Sequence, residues 1–236
     1  KGMEIIETHS SRLYEEGFTV LSINLSYGFH NRKDEFLSCD IKHNHNEHES
    51  VREIVAWYNY LVSKGYNKIN FIGHSRGGFN IMQALSIINN KEINSFLLAP
   101  FIDTYIGTKT YYEEELGIPY ELIIKSSENY YLADKYKLIN FLFCENVNVS
   151  SQTFRSYLNY SRNKLDYPFT FNILELINKS TSPITIFSGT DDEIIMDNYK
   201  AYKEIQKSNV KAITLEGGGH FFRDLYLDDV MDIIIE

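Results

Sequence analysis

Ser75 stands in the run Ile69-Asn70-Phe71-Ile72-Gly73-His74-Ser75-Arg76-Gly77-Gly78-Phe79, where an apolar stretch ends in Gly-x-Ser-x-Gly and a helix-compatible segment follows at once. A serine on a sharp strand-to-helix turn holds strained backbone angles and exposes its hydroxyl, an arrangement known as a nucleophile elbow. Side chains two residues to either side would collide with such a turn, so Gly73 and Gly77 are expected to be needed for their missing Cβ atoms. At the start of the following helix the N–H of Arg76 can point at a developing oxyanion. The competing reading is a glycine-rich turn whose serine only caps the helix.

A serine hydroxyl attacks a carbonyl only if a base takes its proton, and an imidazole oriented by a carboxylate does this best. His220 lies in the run Gly217-Gly218-Gly219-His220, followed by Phe221-Phe222, and is the expected base. Asp191 and Asp192 close the apolar run Pro183-Ile184-Thr185-Ile186-Phe187-Ser188-Gly189-Thr190. Neighbouring residues at a strand end point in different directions, so one aspartate is expected to face His220 and the other to be a solvated turn residue. His74 and Phe221, which flank the serine and the histidine, are expected to contact substrate.

The elements that must position these residues alternate along the chain. Met3 to Glu16 has helical spacing, with a stop at Gly17, and Phe18 to Leu25 reads as a strand. Tyr27 to Asn46 is polar and reads as a long surface loop. A helix is expected from Glu49 to Lys64, then the elbow strand, a helix over Phe79 to Asn89 and a fully buried strand over Ile93 to Pro100. After Ser182 come the strand ending at the aspartates, a helix over Asp197 to Lys207, a strand over Val210 to Leu215 and a terminal helix over Phe221 to Ile235. Such alternation predicts right-handed crossovers and a doubly wound, mostly parallel sheet of the α/β class. Residues 103–182 break the rhythm with helical and loop-like pieces rich in Tyr and Phe, and are expected to form a helical cap inserted into one domain spanning 1–236. Most of those aromatics are expected to pack within the cap, with a minority reaching a pocket.

The chain's 236 residues can bury a sizeable core. A formal charge of −9 argues against a nucleic-acid partner, which needs a basic face, and no apolar run is long enough for a membrane span. Cys39 and Cys144 are more simply two thiols than one disulfide. The run His43-Asn44-His45-Asn46-Glu47-His48 offers metal-ligand types at spacings that match no zinc signature, so a solvated polar turn is expected and no metal or other cofactor. Arg32 and Arg76 are expected to pair with acidic side chains rather than with an anionic substrate. The compartment is left open, with the cytoplasm slightly favoured and an extracytoplasmic location expected if a signal peptide has been removed.

The order Ser, Asp, His, carried on Gly73-His74-Ser75-Arg76-Gly77-Gly78, Gly189-Thr190-Asp191-Asp192 and Gly219-His220, resembles the α/β-hydrolase superfamily, in particular its serine esterase and lipase-like branch. The resemblance runs from Met3 to the end. It implies a carboxylesterase with Ser75 as nucleophile and His220 as base, and its Gly-x-x-Asp pattern selects Asp192 over Asp191. It implies a small-molecule acyl ester substrate, and leaves an amide or peptide hydrolase, or a non-catalytic binding protein of the same fold, as alternatives. Family members also place a strand and a His-Gly loop before the first helix, and that loop supplies the second oxyanion donor. Here the first residues correspond to that helix, so the N-terminal strands are missing from the pattern. Met3 or Gly2 is the expected donor, and a longer chain is expected to supply the strand.

Overall fold

The structure, a computed structural model, describes residues 4–30, 32, 41–88, 90–102, 109–136, 138–140, 148–162 and 172–236. Gly2, Met3, Cys39 and Cys144 lie outside them, so the expectations about the second oxyanion donor and the thiols do too.

Four strands form one parallel sheet: β1 (Phe71–His74), β2 (Ser95–Leu98), β5 (Ile184–Gly189) and β6 (Val210–Leu215), in that spatial order. Side chains alternate across the sheet, so successive residues of β2 serve different layers. Leu97 and, on β5, Ile184 and Ile186 pack with α3 (Arg76–Ile88), α6 (Ile173–Lys179) and Tyr202 of α7 (Asn198–Lys203). Phe96, Leu98 and Phe187 face the other way, onto Ile5 and Leu13 of α1 (Glu4–Glu15) and Val230, Met231 and Ile234 of α8 (Leu225–Ile235). Helix α2 (Glu47–Ser63) covers the first layer beyond α3 through Val51 and Ile54 against Ala84. This is the doubly wound arrangement expected.

Gly17 and Gly65 follow α1 and α2 with φ of 89° and 90°. The N–H of Phe18 then reaches the carbonyl of Leu13 at 3.0 Å, satisfying a carbonyl that the helix end leaves open.

Residues 18–25, expected to be a strand, carry no assigned helix or strand and belong to neither described sheet. Their side chains nevertheless alternate between the layers: Val20 packs with the α1/α8 core, and Ile23 and Leu25 pack with the α2/α3 cluster. A strand also needs a ladder with a neighbour, and none among the described residues pairs with them.

Within 103–182 the described residues include a single π-helical turn (Tyr111–Glu115), α4 (Tyr120–Ala133), a short antiparallel pair β3 (Leu138–Asn140) and β4 (Asn148–Ser150), α5 (Ser151–Arg162) and α6. The pair β3/β4 was not legible as strands, because three-residue segments carry too little alternation. Tyr112 and Tyr120 stack with centroids 5.7 Å apart, and both are buried. Helix α6 lies inside the stretch expected as a cap, yet Ile173, Leu176 and Ile177 belong to the core of the main layer. Among the described residues no helix is long and apolar enough to cross a membrane.

Candidate active site

Ser75 follows directly on β1 and precedes α3, with φ of 53°, a left-handed conformation that non-glycine residues seldom adopt. Its N–H donates to the Leu98 carbonyl at 2.7 Å, and its own carbonyl accepts from Gly78 N–H at 3.1 Å, so the strained turn is held from both sides. A Cβ on Gly73 would stand 2.7 Å from the Gly77 carbonyl, which explains that glycine. The expectation for Gly77 is corrected: a Cβ there would meet nothing within 4 Å. Gly77 contributes the backbone that approaches Gly73, and the other tight position is Gly78, where a Cβ would stand 3.1 Å from both the Gly73 carbonyl and Pro100.

The acid turn and the histidine loop meet through glycines. A Cβ on Gly189, at the end of β5, would fall inside the Gly218 carbonyl. That contact lets Asp191 N–H donate to Gly218 O at 3.0 Å, and Gly217 N–H donate to Thr190 Oγ1 at 2.8 Å. Asp192 Oδ2 then lies 2.8 Å from His220 Nδ1, with both side chains buried. Asp191 is exposed and bonds Thr190 instead. The other carboxylate oxygen of Asp192 accepts from the N–H groups of Ile194 at 2.9 Å and Ile195 at 2.8 Å. Burial pushes the Asp192 carboxyl upward, but the His220 hydrogen bond and these two amides outweigh it and hold the carboxyl below its usual range. A carboxylate on Nδ1 fixes the tautomer that leaves Nε2 free to accept a proton.

His220 is tied to the elbow by His74, whose Nε2 donates to the His220 carbonyl at 2.9 Å. Burial lowers the pKa of His74 to about 4, so it stays neutral and keeps that donor tautomer. The rings of His74 and His220 lie 4.7 Å apart, and Phe221 stands 5.3 Å from His74. His74 is thereby engaged with the histidine loop. The His220 N–H donates to Glu193 Oε2 at 3.2 Å, a restraint with no sequence signal because the two residues are far apart in the chain. Among the described residues no hydrogen bond joins the Ser75 hydroxyl to His220. Such bonds are often long in enzymes without substrate and tighten in the reacting complex.

The polar run at His43 to His48 is not the solvated turn expected. His45 is buried; its N–H donates to Thr153 Oγ1 at 2.8 Å, and its carbonyl accepts from the same hydroxyl at 2.6 Å. His45 Nε2 lies 3.1 Å from the Tyr157 hydroxyl, and Glu47 N–H donates to Ser156 Oγ at 3.0 Å. The run is the joint between the body and α5. Its polar residues are consumed by buried backbone groups that must find partners. Burial lowers the pKa of His45 to about 3 and raises that of Glu47 to about 7. Among the described residues no cluster of three or more His, Cys, Asp or Glu could hold a metal ion.

Arg76 also departs from expectation. Its guanidinium lies over the rings of Tyr157, 5.0 Å from the centroid, and Phe101, 5.6 Å away, and forms no ion pair with an acid among the described residues.

Solved structures with this architecture are numerous. Est1E from Butyrivibrio proteoclasticus, solved with ferulic acid bound, superposes with a TM-score of 0.62 at 18% identity over 99% of this chain and 81% of its own. This chain has the α/β-hydrolase fold. A bromoperoxidase from Bacillus anthracis shares that fold with a TM-score of 0.56 at 13% identity, over 98% of this chain and 85% of its own. An esterase domain from a Rhodothermus marinus protein gives 0.53 at 13% identity, over 97% of this chain and 76% of its own. No family model matches the sequence, and no curated protein matches it. Within the α/β-hydrolase fold, Ser75, Asp192 and His220 all lie just beyond the C-terminal ends of their strands, the edge at which parallel sheets carry their sites.

Proposed function

We propose that the chain is a serine hydrolase that cleaves a carboxylic ester or thioester of a small molecule. The observation that carries this reading is the buried His220 Nδ1 to Asp192 Oδ2 contact of 2.8 Å, held beside a strained Ser75 by the His74 link. The esterases among the solved structures of the same fold support it.

In this reading Ser75 Oγ attacks the carbonyl carbon while its proton passes to His220 Nε2. The tetrahedral oxyanion is met by the Arg76 N–H and, as the family resemblance implies, by that of Met3. Collapse expels the alcohol or thiol, which takes the proton from His220 and leaves an acyl group on Ser75. Water then gives a proton to His220 as it attacks the acyl carbon, and the acid departs as that proton returns to Ser75. Asp192 holds the imidazole orientation and stabilises its charged form. His74 acts as a positioning residue for His220, and Phe221 borders the site as a substrate contact.

The test is labelling with a fluorophosphonate probe together with hydrolysis of 4-nitrophenyl butyrate. Wild type is expected to label and turn over, and Ser75→Ala to do neither. Undiminished turnover in Ser75→Ala would sink the reading. The unmade Ser75 to His220 hydrogen bond favours one alternative, a binding protein that keeps the fold. Absence of both labelling and turnover in wild type would support that alternative.

A further inference from the structure

Arg76 is a cation held one peptide bond from the proposed nucleophile, and it forms no ion pair with an acid among the described residues. Its guanidinium is sandwiched by Tyr157 of α5 and Phe101, which follows β2, so it lies between the cap helix and the strand ends that carry Ser75, Asp192 and His220. Aromatic faces stabilise a guanidinium but leave its formal charge and its in-plane N–H donors uncommitted. The side chain is half-buried, and no hydrogen bond from its N–H groups is seen among the described residues.

The surroundings sharpen the charge. Glu47 is the acid nearest enough to be felt, but its Oε1 accepts from Asn80 Nδ2 at 2.8 Å. Burial also raises its carboxyl to about 7, so it offers the guanidinium a partial counter-charge at most. Burial holds the nearby His43 and His45 neutral, so they add no charge. In a chain with a formal charge of −9, the Arg76 guanidinium is thus a cation placed beside the proposed nucleophile. The field of such a cation, focused between low-dielectric walls, concentrates anions.

Building on the hydrolase reading, we propose that the Arg76 side chain selects substrates, and that the preferred ester carries a carboxylate on its acyl or alcohol part. The planar fork of a guanidinium pairs with a carboxylate through two parallel hydrogen bonds, which fixes orientation as well as affinity. The backbone N–H of the same residue serves the oxyanion, so one residue reads the substrate's charge and stabilises its reacting centre.

The experiment compares matched esters within each protein. On the acyl side, 4-nitrophenyl hydrogen adipate is set against its methyl ester; on the alcohol side, 4-carboxyphenyl butyrate against its methyl ester. In wild type, kcat/KM for the carboxylate is expected to exceed that for the neutral partner on one side, and the side identifies where the anion sits. In Arg76→Gln that ratio is expected to fall about 10- to 100-fold, with Arg76→Lys between, because a point charge lacks the fork. Taking the ratio within each variant removes any change in the oxyanion contact. Turnover of the neutral ester with a ratio that Arg76→Gln leaves unchanged overturns the proposal and spares the hydrolase reading. If no ester is turned over, adipate binding to wild type and Arg76→Gln is measured by calorimetry. Arg76-dependent binding then upholds anion recognition while the hydrolase reading fails, and Arg76-independent or absent binding overturns both.

Discussion

His220 Nδ1 and Asp192 Oδ2 lie 2.8 Å apart with both side chains almost wholly shielded from solvent, while the adjacent Asp191 is exposed. Asp192→Asn is therefore expected to lower kcat on 4-nitrophenyl butyrate by about 10,000-fold, since an amide favours the wrong tautomer. Asp191→Asn is expected to have little effect. Equal losses in the two variants would contradict the assignment.

The lowered pKa of Asp192 also sets a pH dependence. A carboxyl whose folded pKa lies below its unfolded value stabilises the protein above the unfolded pKa, and loses that contribution as pH falls through the folded one. Urea unfolding from pH 6 down to pH 3 is expected to show a component of acid destabilisation that Asp192→Asn removes.

Glu47 has the opposite sign. Its carboxyl is raised from 4.5 to about 7, so its protonated form is the better tolerated: the favourable contribution is complete below 4.5 and lost as pH rises through about 7. Glu47→Gln is expected to add about 1 to 3 kcal/mol of stability at pH 8.5 and almost none at pH 4. Chemical denaturation at the two pH values checks the difference.

The two segments that lead to Asp192 and His220 touch at Gly189 and Gly218. Gly189→Ala would place a Cβ inside the Gly218 carbonyl, and Gly73→Ala would place one 2.7 Å from the Gly77 carbonyl carbon and oxygen. Each is expected to cost about 2 kcal/mol or more in thermal unfolding, because backbone must move. Gly77→Ala meets open space within α3 and is expected to raise stability by up to about 1 kcal/mol.

Thr153 joins α5 to the body by two hydrogen bonds to the backbone of His45. Thr153→Val keeps the shape and leaves a buried N–H and carbonyl unpaired, at a cost of about 1 to 3 kcal/mol. Faster hydrogen exchange in α5 than in α3 would locate the loss at the joint; equal acceleration in both would argue against it.

The pattern of apolar runs, helix stops and glycines made the sheet, its two covering layers and the strained turn at Ser75 legible in the sequence, because burial periodicity and φ requirements are local properties of a chain. It set the terminal helix four residues early, since Phe222 and Asp224 take φ of 43° and 58° and end any helical run there. Residues 18–25 have the alternation of a strand, but a ladder depends on a neighbour that no residue carries in its own side chain.

What the tertiary structure alone decided are relations between segments far apart in the chain. The residues alone left Asp191 and Asp192 open and the family resemblance selected Asp192; how that side chain comes to lie against His220 follows from two loops that cross at a pair of glycines. His45 and Glu47 have the composition of a solvated turn, and became a buried joint because α5 was there to pair with them. Arg76 had many acids available by composition, and folding set it between two aromatic rings instead. Sequence specifies the chemistry each side chain can offer; only packing decides which partner is within reach, because hydrogen bonds and ion pairs act over a few ångströms.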